Sequence, residues 1–507
     1  MKFTKTLLTT ALFSFSVLSA SPMAYAVSDQ ETQFQQGLKA YLSNDYATTL
    51  QLWQPLAEQG YAQAQYNLGV MYAKGRGVKQ DDFQAVKWYQ KAAEQGLAQA
   101  QFNLGVMYYN GKGVKQDYFQ AFKWTQKAAE QGDAQAQFNL ASMYYNGQGV
   151  KQDYFQAFKW TQKAAEQGDA KAQYSLGNMY RTGRGVKQDY FQAVKWYQKA
   201  AEQGDAKAQY SLGNMYRTGR GVKQDYFQAV KWYQKAAEQG NAKAQFNLGS
   251  LYDDGQGVKQ DYFQAVKWYQ KAAEQGYADA QFNLALMYYN GQGVKQDYFQ
   301  AFKWTQKAAE QGYADAQFNL GNMYRTGRGV KQDYFQAVKW YQKAAEQGNA
   351  KAQFNLGLLY DDGQGVKQDY FQAVKWYQKA AEQGYADAQF NLALMYYNGQ
   401  GVKQDYFQAV KWYQKAAEQG YADAQFNLAL MYRKGKGVKQ DYFQAFKWYQ
   451  KAAEQGYAMA QVNLGVMYSL GQGVKQDFNL AKMWAGKACE NGEQNGCDVY
   501  RMLNERK

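Results

Sequence analysis

Residues able to do covalent chemistry are scarce in this chain. It has no histidine. That removes Ser-His-Asp and Cys-His nucleophilic catalysis and the commonest metal ligand. Beyond residue 26 the serines are Ser28, Ser43, Ser142, Ser175, Ser211, Ser250 and Ser469, and none has lysine three residues on. The Ser-x-x-Lys arrangement of serine acyl-enzymes is therefore missing. Asp253-Asp254 and Asp361-Asp362 lack the ligand spacing and downstream Glu of a calcium loop. They are expected to be exposed helix-end acids. A recurring Gly-x-Gly-Val-Lys-Gln-Asp segment, such as the one through Gly113 to Asp117, invites comparison with a phosphate loop. It follows a helix pattern and lacks the Gly-Lys-Ser/Thr ending, so it is expected to be a turn plus a helix N-cap. These residues predict no catalytic group, no metal and no cofactor. Cys489 and Cys497, with seven residues between them, are the only cysteines. In an exported chain they are expected to form a disulfide.

Non-covalent recognition remains. The chain consists of near-identical copies, and the informative residues are those that differ between copies. Just before the Gly-x-Gly segment the first varying position holds Tyr109, Tyr145, Arg181, Arg217, Asp253, Tyr289, Arg325, Asp361, Tyr397 and Arg433. Three residues earlier stand Val106, Ser142, Asn178, Asn214, Ser250, Leu286, Asn322, Leu358, Leu394 and Leu430. A spacing of three puts both positions on one helix face. Tyr and Arg are enriched at binding hot spots. The candidate partner-binding residues are therefore Tyr109, Tyr145, Asn178, Arg181, Asn214, Arg217, Asp253, Tyr289, Asn322, Arg325, Asp361, Tyr397 and Arg433. The competing reading is drift at solvent-exposed sites.

The elements that must position these residues follow from a single period. Twelve tryptophans stand 36 residues apart from Trp88 to Trp484, and Trp53 falls one residue short of that step. Such a period marks a stacked repeat protein. In the copy from Tyr277 to Gly312, Ala280, Leu284, Met287 and Tyr288 lie on one face of a helix. Gly291-Gln292-Gly293 ends that helix. Asp297, three residues before Gln300, opens a second one in a capping-box spacing. The second helix carries Phe299, Ala301, Phe302, Trp304, Ala308 and Ala309 and stops at Gly312. Each unit is thus a helical hairpin that cannot bury both faces alone. The expected organisation is a capping unit over residues 27–60, twelve repeats over 61–492 and a capping helix over 493–507. Trp53 is expected to play the part of the later tryptophans in the shortened first unit. The cysteine pair would pin the last helix.

Residues 1–26 are expected to be a secretory signal peptide. Lys2 and Lys5 precede an apolar run from Leu7 to Val17, and Ala24-Tyr25-Ala26 is a small-x-small cleavage site. The location expected from this is periplasmic or secreted. No later segment could span a membrane. The formal charge falls from +15 to +13 when Lys2 and Lys5 are set aside. That charge is spread along the copies. It suits a solvated face, anionic envelope polymers or acidic partners better than nucleic acid.

The unit Ala-x-Ala-Gln-Phe-Asn-Leu-Gly-x-Met-Tyr-x-x-Gly-x-Gly-Val-x-x-Asp-x-x-x-Ala-x-x-Trp-x-x-x-Ala-Ala-Glu-Gln-Gly resembles the Sel1-like repeat, an α/α unit related to the tetratricopeptide repeat. The likeness covers roughly residues 31–507. It implies an all-α fold, a right-handed α/α superhelical solenoid of about twelve 36-residue hairpins plus end caps, with first helices lining a concave face. It further implies an exported adaptor holding a protein or peptide partner on that face. The ending through Cys489 and Cys497 looks like the cysteine-rich secreted members of bacterial pathogens. That likeness leaves two alternatives open, a β-lactam-binding or β-lactam-hydrolysing protein and a secreted factor acting on a host.

Overall fold

The computed structural model describes residues 29–505; the expected signal peptide lies outside the described residues. The described chain is all helix and turn, with 27 helices from Asp29–Leu42 to Gln494–Glu505. They form two compact units, one ending at Asp261 and the other beginning at Tyr262. Within each unit consecutive hairpins stack, each helix packing on the next in the chain.

Local chemistry explains each hairpin. The first helix of the copy read above is Ala278–Asn290 and the second is Tyr298–Glu310. Gly291 takes a left-handed φ of 72°, and the Gln292 amide donates back to the Met287 carbonyl at 3.0 Å. That closes the first helix as a glycine C-cap does. The Asp297 amide then returns to the Tyr288 carbonyl at 2.9 Å. Its carboxylate accepts from the Phe299 and Gln300 amides at 2.9 and 3.0 Å, which is the N-cap half of the expected capping box. The second connector glycine has a different task. A Cβ on Gly293 would run into the Tyr262 carbonyl of the preceding copy. Only glycine lets the connector settle on that helix start.

Packing follows the expected faces with one correction. Ala280, Leu284, Met287, Ala301, Trp304, Ala308 and Ala309 are buried. Phe299 is not part of that face: it is 64% exposed, and the equivalent phenylalanines from Phe119 to Phe443 are exposed as well. It is the second residue of its helix, beyond the reach of the hairpin contact. The correction concerns Trp53. It does not play the part of the later tryptophans. It packs against Gly37 as Tyr89 packs against Gly69, and its indole donates to the Phe34 carbonyl at 3.1 Å. Adding 36 to 53 gives the position of Tyr89, the residue after the repeat tryptophan. The repeat tryptophans instead each carry a lysine three residues on across their face, at 4.4 Å for Lys307 on Trp304.

A buried glutamine ladder joins the copies. Gln317 donates to the Ala309 carbonyl of the preceding copy at 3.1 Å and accepts from Gln347 of its own copy at 2.7 Å. The same pair recurs as Gln173–Gln203 and Gln209–Gln239. Buried polar groups must be satisfied, so the ladder penalises any slip between hairpins.

At the far end Cys489 and Cys497 form the expected disulfide, with Cα atoms 4.5 Å apart. It ties Gln494–Glu505 to Phe478–Glu490, and Gly496 lets the two helices close on Ala488. Cys497→Ser is expected to remove about 2–3 kcal/mol of local stability. Hydrogen exchange should then speed up in Gln494–Glu505 and leave the preceding hairpins unchanged, since a terminal helix is packed on one side only.

Candidate partner-binding face

The candidate residues sit in the last turn of each first helix, just before its capping glycine. They do not form one uniform exposed row. Arg181, Arg217 and Arg325 are exposed; Tyr109, Tyr145, Asp253, Tyr289, Asp361, Tyr397 and Arg433 are half-buried. Three residues earlier, Asn178, Asn214 and Asn322 are half-buried, while Val106 and Ser142 are fully buried. Part of the variation between copies is therefore interior.

Beneath the arginines lies a residue that the sequence reading passed over. Tyr197, the neighbour of Trp196, is fully buried along its ring. Its hydroxyl accepts from Arg181 Nε at 3.2 Å and donates to Asn178 Oδ1 at 2.8 Å. Tyr233 does the same with Arg217 and Asn214, at 3.2 and 2.6 Å. Tyr341 repeats it with Arg325 and Asn322, at 3.2 and 2.7 Å. In the copy with Asp361 the equivalent hydroxyl, that of Tyr377, donates to Asp361 Oδ2 at 3.0 Å. Arg433 reaches forward to Asn463 Oδ1 at 3.2 Å.

Where the surface residue is Tyr109, Tyr145 or Tyr289, the residue beneath is Thr125, Thr161 or Thr305. The two positions vary together, and that covariation was the available signal. Tyr397 over Tyr413 is the exception. Large over small fills the same space, and arginine gives the buried hydroxyls of Tyr197, Tyr233 and Tyr341 a partner, without which burial is costly.

The tyrosines link forward along the stack through the middle residue of the next Gly-x-Gly. The Tyr109 hydroxyl donates to Gln148 Oε1 at 2.9 Å. Arg184 donates to Tyr145 and Arg328 to Tyr289. Lys436 lies 5.3 Å from the Tyr397 ring centroid and 4.9 Å from that of Tyr406. Arg184, Arg328 and Lys436 each place a cation on aromatic faces. These connector residues were not among the candidates, although they too differ between copies. Their connection to the face depends on the close seat of the second connector glycine.

Burial pushes the Tyr197 and Tyr233 hydroxyls up to about 12, against the opposing pull of Arg181 and Arg217. The native state therefore holds these protons more tightly than the unfolded chain, whose tyrosines titrate near 10. The associated stability is fully present below pH 10 and is lost as pH rises through about 12. Absorbance at 295 nm is expected to show exposed tyrosines ionising first, with a late fraction appearing together with loss of helical circular dichroism. Arg217→Gln should move that late fraction to still higher pH.

Among the described residues no group of three or more His, Cys, Asp or Glu is placed to hold a metal ion. No described helix is long and apolar enough to cross a membrane. The arrangement offers guanidinium, phenol and amide groups held by buried tyrosine hydroxyls and neighbouring copies.

Comparison with known proteins agrees with this architecture. The Sel1 repeat model matches twelve consecutive segments, from residues 62–97 to 458–493. A protective antigen present in uropathogenic Escherichia coli strains, described as displaying an SLR fold, is 43% identical. The match covers 83% of this chain and 91% of that one, with a TM-score of 0.75. A Sel1 repeat protein from Oxalobacter formigenes is 38% identical over 61% of this chain and 90% of its own, with a TM-score of 0.50. Among functionally curated proteins no match was found. Twelve contiguous repeat matches on a stack of 36-residue hairpins show that the chain belongs to the Sel1 repeat family.

Proposed function

We propose that this protein is an exported, non-catalytic scaffold that holds a protein or peptide partner on the face formed by the last turns of its first helices. One observation carries the reading: the framework barely changes between copies, while Tyr, Arg, Asn and Asp alternate along this one line. Within each unit, stacked hairpins with varied side chains at a fixed spacing suit an extended partner. Residues 1–26 with their expected leader, and the disulfide between Cys489 and Cys497, support a place outside the cytoplasm.

Photo-crosslinkable residues at Tyr289 and Arg325 in living cells are expected to trap a discrete partner. Charge reversal at Arg181, Arg217 and Arg325 should abolish the adduct formed from Tyr289 with the melting curve preserved. Partner capture that survives all three reversals would sink the reading.

A second reading has its own support. The Escherichia coli relative is described as a protective antigen, which favours a role exposed to a host. Recovery from culture supernatant would support it. A chromogenic β-lactam assay on purified protein tests the enzymatic alternative, and the expected result is no turnover.

A further inference from the structure

We propose that the two identical copies spanning residues 169–240 form a cleft for the paired carboxylates of an extended acidic peptide. This rests on the scaffold reading and specifies the chemistry of the partner at one place on the face.

The first observation is the cavity, about 370 Å³, where these copies meet. Arg181, Arg217 and Arg220 line it together with Asn178, Asn214 and Tyr190, and no carboxylate is among its lining residues. Three guanidinium groups in one cleft without an acid raise the local potential for an anion. The second observation is how these groups are held. Arg181 and Arg217 each spend Nε on a buried tyrosine hydroxyl at 3.2 Å. A guanidinium has five donors, so the remaining fork stays available while its orientation is set. Arg220 lies 5.8 Å from the Tyr190 ring centroid, a cation–aromatic contact. Such preorganisation lowers the cost of binding, and the planar fork matches a carboxylate in two parallel hydrogen bonds.

The third observation is position. Arg-Thr-Gly-Arg occurs at Arg181, Arg217 and Arg325, and only the first two stand in adjacent copies. The copy after Arg217 carries Asp253 at the equivalent position, and the copy after Arg325 carries Asp361. An acid downstream repels a further carboxylate and ends the basic stretch. Neighbouring first helices in such a stack lie on the order of 10 Å apart. An extended chain in the polyproline II conformation rises about 3.1 Å per residue with three residues per turn, so side chains three apart share a face about 9 Å apart. Carboxylates three residues apart therefore meet successive arginines.

The test uses the full chain and a peptide Ac-Gly-Ser-Glu-Gly-Ser-Glu-Gly-Ser-amide, with a Gln-for-Glu counterpart, titrated by calorimetry at low salt. The Glu peptide should bind saturably and at least about tenfold more tightly than the Gln peptide. Arg217→Gln and Arg220→Gln should each weaken it by about tenfold, while Lys223→Gln, an exposed charge outside the cleft, leaves it unchanged. Arg217→Lys should recover only part of the affinity, since Lys lacks the fork. Equal binding of the two peptides, or equal losses from Arg217→Gln and Lys223→Gln, would overturn the assignment. So would a heparin disaccharide that occupies the cleft and that the Glu peptide fails to displace. If the peptide fails while crosslinking at Tyr289 and Arg325 still traps a partner, the cleft falls and the scaffold stands. If the peptide binds and crosslinking traps nothing, the cleft stands and the scaffold reading falls.

Discussion

Trp232→Ala is expected to destabilise its region by about 3–5 kcal/mol, the range for truncating a buried aromatic. Trp232 is 8% exposed and packs with Ala200 and Ala201 of the preceding copy and with Ala208 and Leu212 of its own. Lys235 covers its outer face at 4.6 Å. The ring is thus a wedge between copies, so its loss falls on the coupling between neighbours. A repeat array has stability that is roughly a sum of unit and neighbour terms. The urea transition should therefore broaden or split, with accelerated exchange confined to helices near Tyr226–Glu238. A single sharp transition shifted as a whole would show that the array is more cooperative than nearest-neighbour packing allows. Phe227→Ala, at an aromatic ring 65% exposed in the same helix, is expected to change stability by no more than about 0.5 kcal/mol.

Gly149→Val should be comparably damaging for a different reason. Gly149 has φ 72°, and a Cβ there would collide with the Tyr118 carbonyl of the preceding copy. A left-handed conformation alone costs an L residue roughly 1–2 kcal/mol. Moving a backbone carbonyl that starts a helix adds to that, giving at least about 3 kcal/mol in total. Gly132→Ala is the internal control: φ is 99° and nothing lies near a Cβ, so only the conformational cost applies. If the two substitutions prove equal by denaturant melts, close seating of the connector is not what holds the copies together. Gly149→Val should also separate Gln148 from the Tyr109 hydroxyl, now 2.9 Å away. Weakened partner crosslinking at Tyr109 in a still-folded protein would tie connector seating to the candidate face.

The architecture was legible because its signals are local or periodic. Gly291 ends a helix and Asp297 starts one through bonds to near neighbours, and the tryptophan step repeats at every copy. Trp53 was misjudged for an instructive reason. Its chemical type suggested the tryptophan part, whereas its register, one full step before Tyr89, identified the packing it makes. The candidate face was half legible. Its positions were found, but not the buried hydroxyls of Tyr197, Tyr233 and Tyr341 that hold the arginines.

By itself, then, the sequence determined the period, the hairpin, its turns and caps, the terminal disulfide and the positions where copies differ. Those depend on neighbours in the chain or on exact repetition. The tertiary structure decided which varying residues face solvent and which are interior. It also decided that Arg181 meets a hydroxyl 16 residues away, that Tyr145 is met by an arginine 39 residues on, and that two arginine-bearing copies enclose one cleft. These outcomes depend on how far each helix is rotated against the next. That rotation is set by side-chain packing across the whole interface, and no residue pattern within a single helix contains it.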